Sequence, residues 1–139
     1  MYLKQADLFW GMSQIFLQSI TAKAIKTEFQ QGETVFNACD PADYFYVLIK
    51  GQVRLELKSS GRQVFTSDKI GEIFGWSALI GRSDYSATVI CDQPTIALQF
   101  HKTDLHCLLD QDSTSASLFY KRLAGALGDR LLKTYDLLE

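Results

Sequence analysis

The sequence predicts a mainly β fold with flanking helices: an eight-stranded double-stranded β-helix, or jelly roll, with N-terminal helices and a long C-terminal helix. Three observations carry this prediction. Short β-branched and aromatic runs recur every eight to twelve residues, each closed by a turn signal, as in an all-β roll. A glycine-bracketed segment, Gly71-Glu72-Ile73-Phe74-Gly75, interrupts them. After His101 the apolar period becomes helical and stays so to the end of the chain.

Taken in order, Leu8-Phe9-Trp10-Gly11-Met12-Ser13 begins an amphipathic segment, and Ser13 suits an N-cap for a helix carrying Ile15, Phe16 and Ile20. Ala22, Ile25, Phe29 and then Thr34-Val35-Phe36 read as two strands around the turn Gln30-Gln31-Gly32-Glu33. Asp40-Pro41-Ala42-Asp43 is a turn by its own chemistry. Tyr44 to Ile49 form a strand, and Lys50-Gly51 turns it into Gln52 to Leu57, whose strict alternation marks one solvated face. Another turn, Ser59-Ser60-Gly61-Arg62, precedes Val64-Phe65. Between Gly75 and a strand beginning at Ala87–Val89, a helical turn over Trp76–Ile80 and a polar loop are expected. Thr88–Cys91 and Thr95–Phe100 close the roll around Asp92-Gln93-Pro94. A short helix around Asp104–Leu109 and a long one from about Thr114 to Leu138 complete the chain. One domain of 139 residues is expected, with an N-terminal helical segment (1–21), a roll (22–100) and C-terminal helices (101–139).

Composition excludes several function classes. A formal net charge of −2 without a basic cluster gives no electrostatic case for nucleic acid. Cys39, Cys91 and Cys107 are odd in number and lack C-x-x-C spacing, which points to buried thiols in a reducing cytoplasm. No signal-peptide pattern or membrane-length apolar run is present, so a cytoplasmic location without membrane contact is expected. The two histidines, His101 and His106, form no metal-ligating run. With no Ser-His-Asp set or phosphate loop either, neither an enzyme, a catalytic residue nor a metal is expected.

Several pieces together resemble the cyclic-nucleotide-binding domain family, of the catabolite-activator/FNR type. Gln31-Gly32-Glu33-Thr34-Val35-Phe36 is similar to the family's Lys-Gly-Glu-x-Ile-Phe, and Asp40-Pro41-Ala42-Asp43-Tyr44-Phe45-Tyr46-Val47 to its Asp-Pro-Ala-Asp-x-(Leu/Phe)-Tyr-(Ile/Val). Gly51-Gln52-Val53 and Gly71-Glu72-Ile73-Phe74-Gly75 match in their turn, whereas Cys39 stands where a glycine is usual. The family's phosphate cassette reads Phe-Gly-Glu-(Leu/Ile)-Ala-Leu and then Arg-(Ser/Thr/Ala)-Ala-Thr-Val. The Glu binds the ribose hydroxyl and the Arg pairs with the cyclic phosphate. Here Trp76 stands at the Glu position and Tyr85 at the Arg position.

The resemblance implies a ligand site at Gly71, Phe74, Gly75, Trp76, Ser77, Ala78, Leu79, Arg82, Tyr85, Ser86 and Ala87. Losing a charge partner costs about 2–5 kcal/mol, and a tyrosine hydrogen bond returns only about 1 kcal/mol, so cAMP in the usual mode is not expected. The effector is then a cyclic nucleotide held in another way or another small anionic or aromatic molecule, with no cofactor beyond it. Trp76 and Tyr85 either line such a site or fill it, and Arg82 is either a solvated loop residue or a displaced anion partner. Backbone N–H groups of the Ser77–Leu79 turn are the remaining anion donors. Tyr120, Ala124, Leu127, Leu131 and Leu138 form a heptad-like seam. That seam packs either on the chain's own roll or, as the resemblance implies, in a homodimer, with Gly125 and Gly128 allowing close approach or marking a kink. The chain ends where a DNA-binding domain begins in the family, so no direct DNA binding is expected of it. The alternative is a degenerate roll with a closed pocket, serving dimerisation or protein contact.

Overall fold

A computed structural model describes residues 8–139. The N-terminal segment expected over 1–21 therefore lies partly, at residues 1–7, outside the described residues. Among these, helix α1 (Gln14–Thr21) is capped by the Ser13 hydroxyl, which accepts the Phe16 N–H at 3.2 Å. Its buried face is Phe16, Leu17 and Ile20, and Ile15 is 78% exposed. The helical phase set by the Ser13 cap turns Ile15 outward, since only residues three and four apart share a face.

Eight strands follow: β1 (Ile25–Phe29), β2 (Thr34–Phe36), β3 (Tyr44–Lys50), β4 (Val53–Glu56), β5 (Gln63–Ser67), β6 (Ile73–Phe74), β7 (Thr88–Cys91) and β8 (Thr95–His101). They form two four-stranded antiparallel sheets, ordered β1-β8-β3-β6 and β2-β7-β4-β5. Helices α2 (Lys102–Gln111) and α3 (Ser113–Asp136) complete the chain. Asp112 caps α3: its carboxylate accepts the Ser115 N–H at 3.0 Å, and this bond holds the carboxyl below its usual range.

Strand β3 is buried on both faces, and its period of two divides the core. Tyr46 and Leu48 join Phe36, Leu55, Phe74 and Val89 between the sheets. Phe45 and Val47 face the helices, where Phe9 packs against Phe16, Phe45, Phe100 and Phe119 at centroid distances of 5.9–6.4 Å. Strand β4 alternates buried and half-buried, as its sequence predicts. Cys91 is buried, but Cys39 and Cys107 are exposed free thiols, which corrects the expectation of buried cysteines. Cys39 lies on a turn at φ 74°, the left-handed region that favours glycine, and Cys107 on the outer side of α2. His101 caps α2, its Nδ1 accepting the Thr103 N–H at 3.1 Å.

Candidate functional site: the cradle after β6

Strand β6 stops at Phe74 because Gly75 turns the chain at φ 80°. A Cβ at Gly75 would stand 3.0 Å from the Tyr44 carbonyl oxygen, so the position needs glycine for its conformation and for its space. A 3-10 turn, Trp76–Ala78, follows. The donors expected of this turn are partly spent within it: Ala78 N–H bonds the Gly75 carbonyl and Leu79 N–H the Trp76 carbonyl. Of the three amides from Ser77 to Leu79, two are thereby taken up within the turn.

Ending β6 at Phe74 has a second consequence. Tyr44, Tyr46 and Leu48 aim their main-chain groups toward β6, where Tyr46 pairs with Phe74 and Leu48 N–H bonds the Glu72 carbonyl. Tyr44 lies beyond the end of β6 and has no strand partner on that side among the described residues. The Tyr85 hydroxyl takes both of its groups, donating to the Tyr44 carbonyl at 2.7 Å and accepting the Tyr44 N–H at 3.2 Å. The Tyr85 ring stacks on Phe36 with centroids 3.6 Å apart and planes at 12°. Only 5% of Tyr85 is exposed, and burial pushes its phenol well above the usual tyrosine value. The same loop is tied to the turn before β3 by bonds between Cys39 N–H and the Tyr85 carbonyl, and between Tyr85 N–H and the Asp40 carbonyl.

The space left at the cradle is about 10 Å³, at most the room of one water. Gly75, Trp76, Ser77, Tyr85, Ser86 and Ala87 line it, together with Phe36, Leu55 and Val89 from the facing sheet. Those last three were not anticipated as site residues. Their signals were present in the alternation of residues 53–57 and in the apolar ends of β2 and β7. Phe74 and Ala78 lie behind the cradle in the core between the sheets, while Leu79 joins the core under the helices. Gly71 does not line the cradle; it turns at φ 94°, and its N–H bonds the Leu48 carbonyl. Arg82 is exposed on its loop, and no Lys or Arg among the described residues lines the cradle. The seryl oxygens Ser77 Oγ and Ser86 Oγ lie 3.4 Å apart and are its remaining polar side chains. The cradle thus offers neither the hundreds of Å³ typical of ligand pockets nor a cationic side chain for a phosphate.

Helix α3 leans on the same region. Trp76, half-buried, packs against the core beneath the helices, and an Arg130 Nη donates to the Ile73 carbonyl. Arg130 and Lys133 lie over the Phe65 ring at 4.2 and 5.5 Å. Of the expected seam, Tyr120, Ala124, Leu131 and Leu138 are exposed, whereas Leu127 turns inward against the core. Among the described residues, a Cβ at Gly125 or Gly128 would meet nothing within 4 Å beyond its own helix. Among the described residues no group of three His, Cys, Asp or Glu side chains could hold a metal, and no helix is long and apolar enough to cross a membrane.

A roll interrupted by a glycine-bracketed 3-10 turn, with a long helix leaning on that turn, defines the class of regulatory β-roll domains. The sequence profile of the cyclic nucleotide-binding domain matches residues 26–112, more than half of the chain, and the chain belongs to that family. A protein of Rhodopseudomonas palustris described as a potassium channel protein is 29% identical over 106 residues, covering 75% of this chain and 25% of its own length. The chain thus spans a quarter or less of the curated relatives it matches. A crystal structure described as a cyclic nucleotide-binding protein from Geobacter metallireducens superposes with TM-score 0.82 at 22% identity, covering 93% of this chain and 95% of that one. The sensor domain of the transcriptional regulator DNR from Pseudomonas aeruginosa superposes with TM-score 0.76 at 23% identity, covering 94% and 89%. At these identities the two structures establish the fold alone.

Proposed function

We propose that this domain is a non-catalytic, effector-responding regulatory module of the catabolite-activator/FNR type, that its output passes through α3, and that its effector is not a cyclic nucleotide held in the usual mode. One observation carries the reading: the Tyr85 side chain occupies the cradle, bonded at both ends of its hydroxyl chemistry to Tyr44 and stacked on Phe36. An effector has differential affinity for two states only where it has space and partners, and the cradle supplies about 10 Å³ and no cationic side chain. The position of α3 against Ile73 and Phe65 supports it as the element that feels changes near the cassette.

In this reading α3 also forms a homodimer. Tyr120, Ala124, Leu131 and Tyr135 are exposed on α3 at spacings of four and seven, a stripe that two parallel helices can bury, while Leu138 lies exposed just beyond the helix end at Asp136. Native mass spectrometry of freshly purified protein tests both parts. A dimer carrying a co-purified small molecule supports the reading, and a ligand-free monomer contradicts it.

The closed cradle equally favours a second reading, a roll that serves only dimerisation or protein contact. A dimer that binds none of a broad panel of small anions and aromatic acids would establish that reading instead.

A further inference from the structure

Beside the closed cradle lies a larger concave surface. Helix α3 and the β5–β6 edge enclose a groove of about 270 Å³, against about 10 Å³ at the cradle. Its apolar lining includes the Phe65 and Trp76 rings and the Leu123 and Leu127 side chains. Three cations, Lys69, Arg130 and Lys133, stand around it, against Glu72 and Asp129. Glu72 turns its Oε1 back to the Lys69 main-chain N–H at 3.1 Å, which reduces the negative field facing the groove. Lys133 is exposed and makes no salt bridge among the described residues.

We propose that this groove is a binding site for a small planar aromatic anion of one or two rings. Its ring would lie along Trp76 and Leu127, and its acidic group would face Lys133 and Arg130. The volume lies at the small end of ligand pockets, which favours such a molecule over a nucleotide. Aromatic walls with a cationic rim select a flat body with a negative end. Trp76 belongs at once to the 3-10 turn, the cradle lining and the groove, so an occupant would press on the turn and α3 together. The groove residues Leu123, Leu127 and Arg130 follow one another at spacings of four and three on α3, and Leu127 lies three residues from Ala124 and four from Leu131, so the groove borders the exposed stripe. The proposal rests on the effector-responding reading above and names the chemistry of that effector.

The test is NMR titration of the intact chain with 1-naphthoate, read at the two tryptophan indole N–H signals. Trp76 lines the groove and Trp10 does not, so Trp10 serves as the internal control. The Trp76 signal is expected to shift saturably with a submillimolar midpoint while Trp10 stays still. Neutral 1-naphthalenemethanol should bind at least about fivefold more weakly, and Lys133→Gln should weaken naphthoate about three- to fivefold, the range for one exposed charge contact. Ala126→Phe, which fills the groove, should abolish the shift. An unsaturable Trp76 shift, equal affinity for the neutral compound, or unchanged binding in Lys133→Gln would overturn the assignment. A parallel cAMP titration read at the Ser86 and Ala87 amides addresses the cradle alone. Shifts there would break the reading of the closed cradle and leave the groove to be judged at Trp76.

Discussion

Tyr85→Phe is the perturbation that isolates what the Tyr85 hydroxyl does. It removes one oxygen and keeps the ring that stacks on Phe36. Two bonds go with it, the 2.7 Å donation to the Tyr44 carbonyl and the 3.2 Å acceptance from the Tyr44 N–H. Because β6 ends at Phe74, no strand is placed to replace them. Each lost bond costs about 1 kcal/mol net, and a buried main-chain group left unpaired costs about 1–3 kcal/mol more. Tyr44 is half-buried, so water satisfies part of the deficit, and the expected loss is about 2–3 kcal/mol. Urea unfolding followed by far-UV circular dichroism should show the midpoint falling by about 1 M with an unchanged slope. Tyr85→Ala, which also empties the ring's space, should cost more, about 3–5 kcal/mol. A loss below about 0.5 kcal/mol for Tyr85→Phe would refute the view that this hydroxyl completes the ladder at Tyr44.

Other outcomes follow from the same geometry. Burial raises the phenols of Tyr85 and Tyr46 above the usual 10.0, so their contribution is full below that value and is lost as pH rises through the folded values. Stability measured by urea titration should therefore fall above about pH 10, by up to about 1.4 kcal/mol per pH unit for each tyrosine, and Tyr85→Phe should remove its share of the slope. Gly75→Ala places a Cβ 3.0 Å from the Tyr44 carbonyl oxygen at φ 80° and should destabilise by about 2–4 kcal/mol in the same assay. Leu131→Glu on the exposed stripe of α3 should leave the thermal midpoint within a few degrees yet weaken self-association at least about tenfold in sedimentation velocity.

The roll was legible because its signals are local. The alternation in β4, the cap at Ser13 and the left-handed glycines around β6 are each written within a few residues. What escaped is what depends on distant partners. Whether Tyr85 lined or filled the pocket turned on the free side of Tyr44, 41 positions earlier, and no spacing in the sequence reports where β6 stops. Ile15 and Leu17 are both apolar, and only the neighbours that α1 meets decide which one faces inward. Leu127 fits the heptad count, yet it also lies four residues from buried Leu123 and packs with it against the core, which the heptad count alone does not report. The groove joins Phe65 and Trp76 to Arg130 and Lys133, residues brought together by α3 crossing the β5–β6 edge.

Isothermal titration of cAMP and cGMP into the wild-type chain tests the central claim most directly. With Tyr85 seated between Phe36 and Tyr44, neither should release binding heat at concentrations up to about 1 mM, the weak end of specific affinity. Micromolar binding of either nucleotide that Ser86→Trp or Tyr85→Ala alters would mean that the cradle opens for its family's ligand after all.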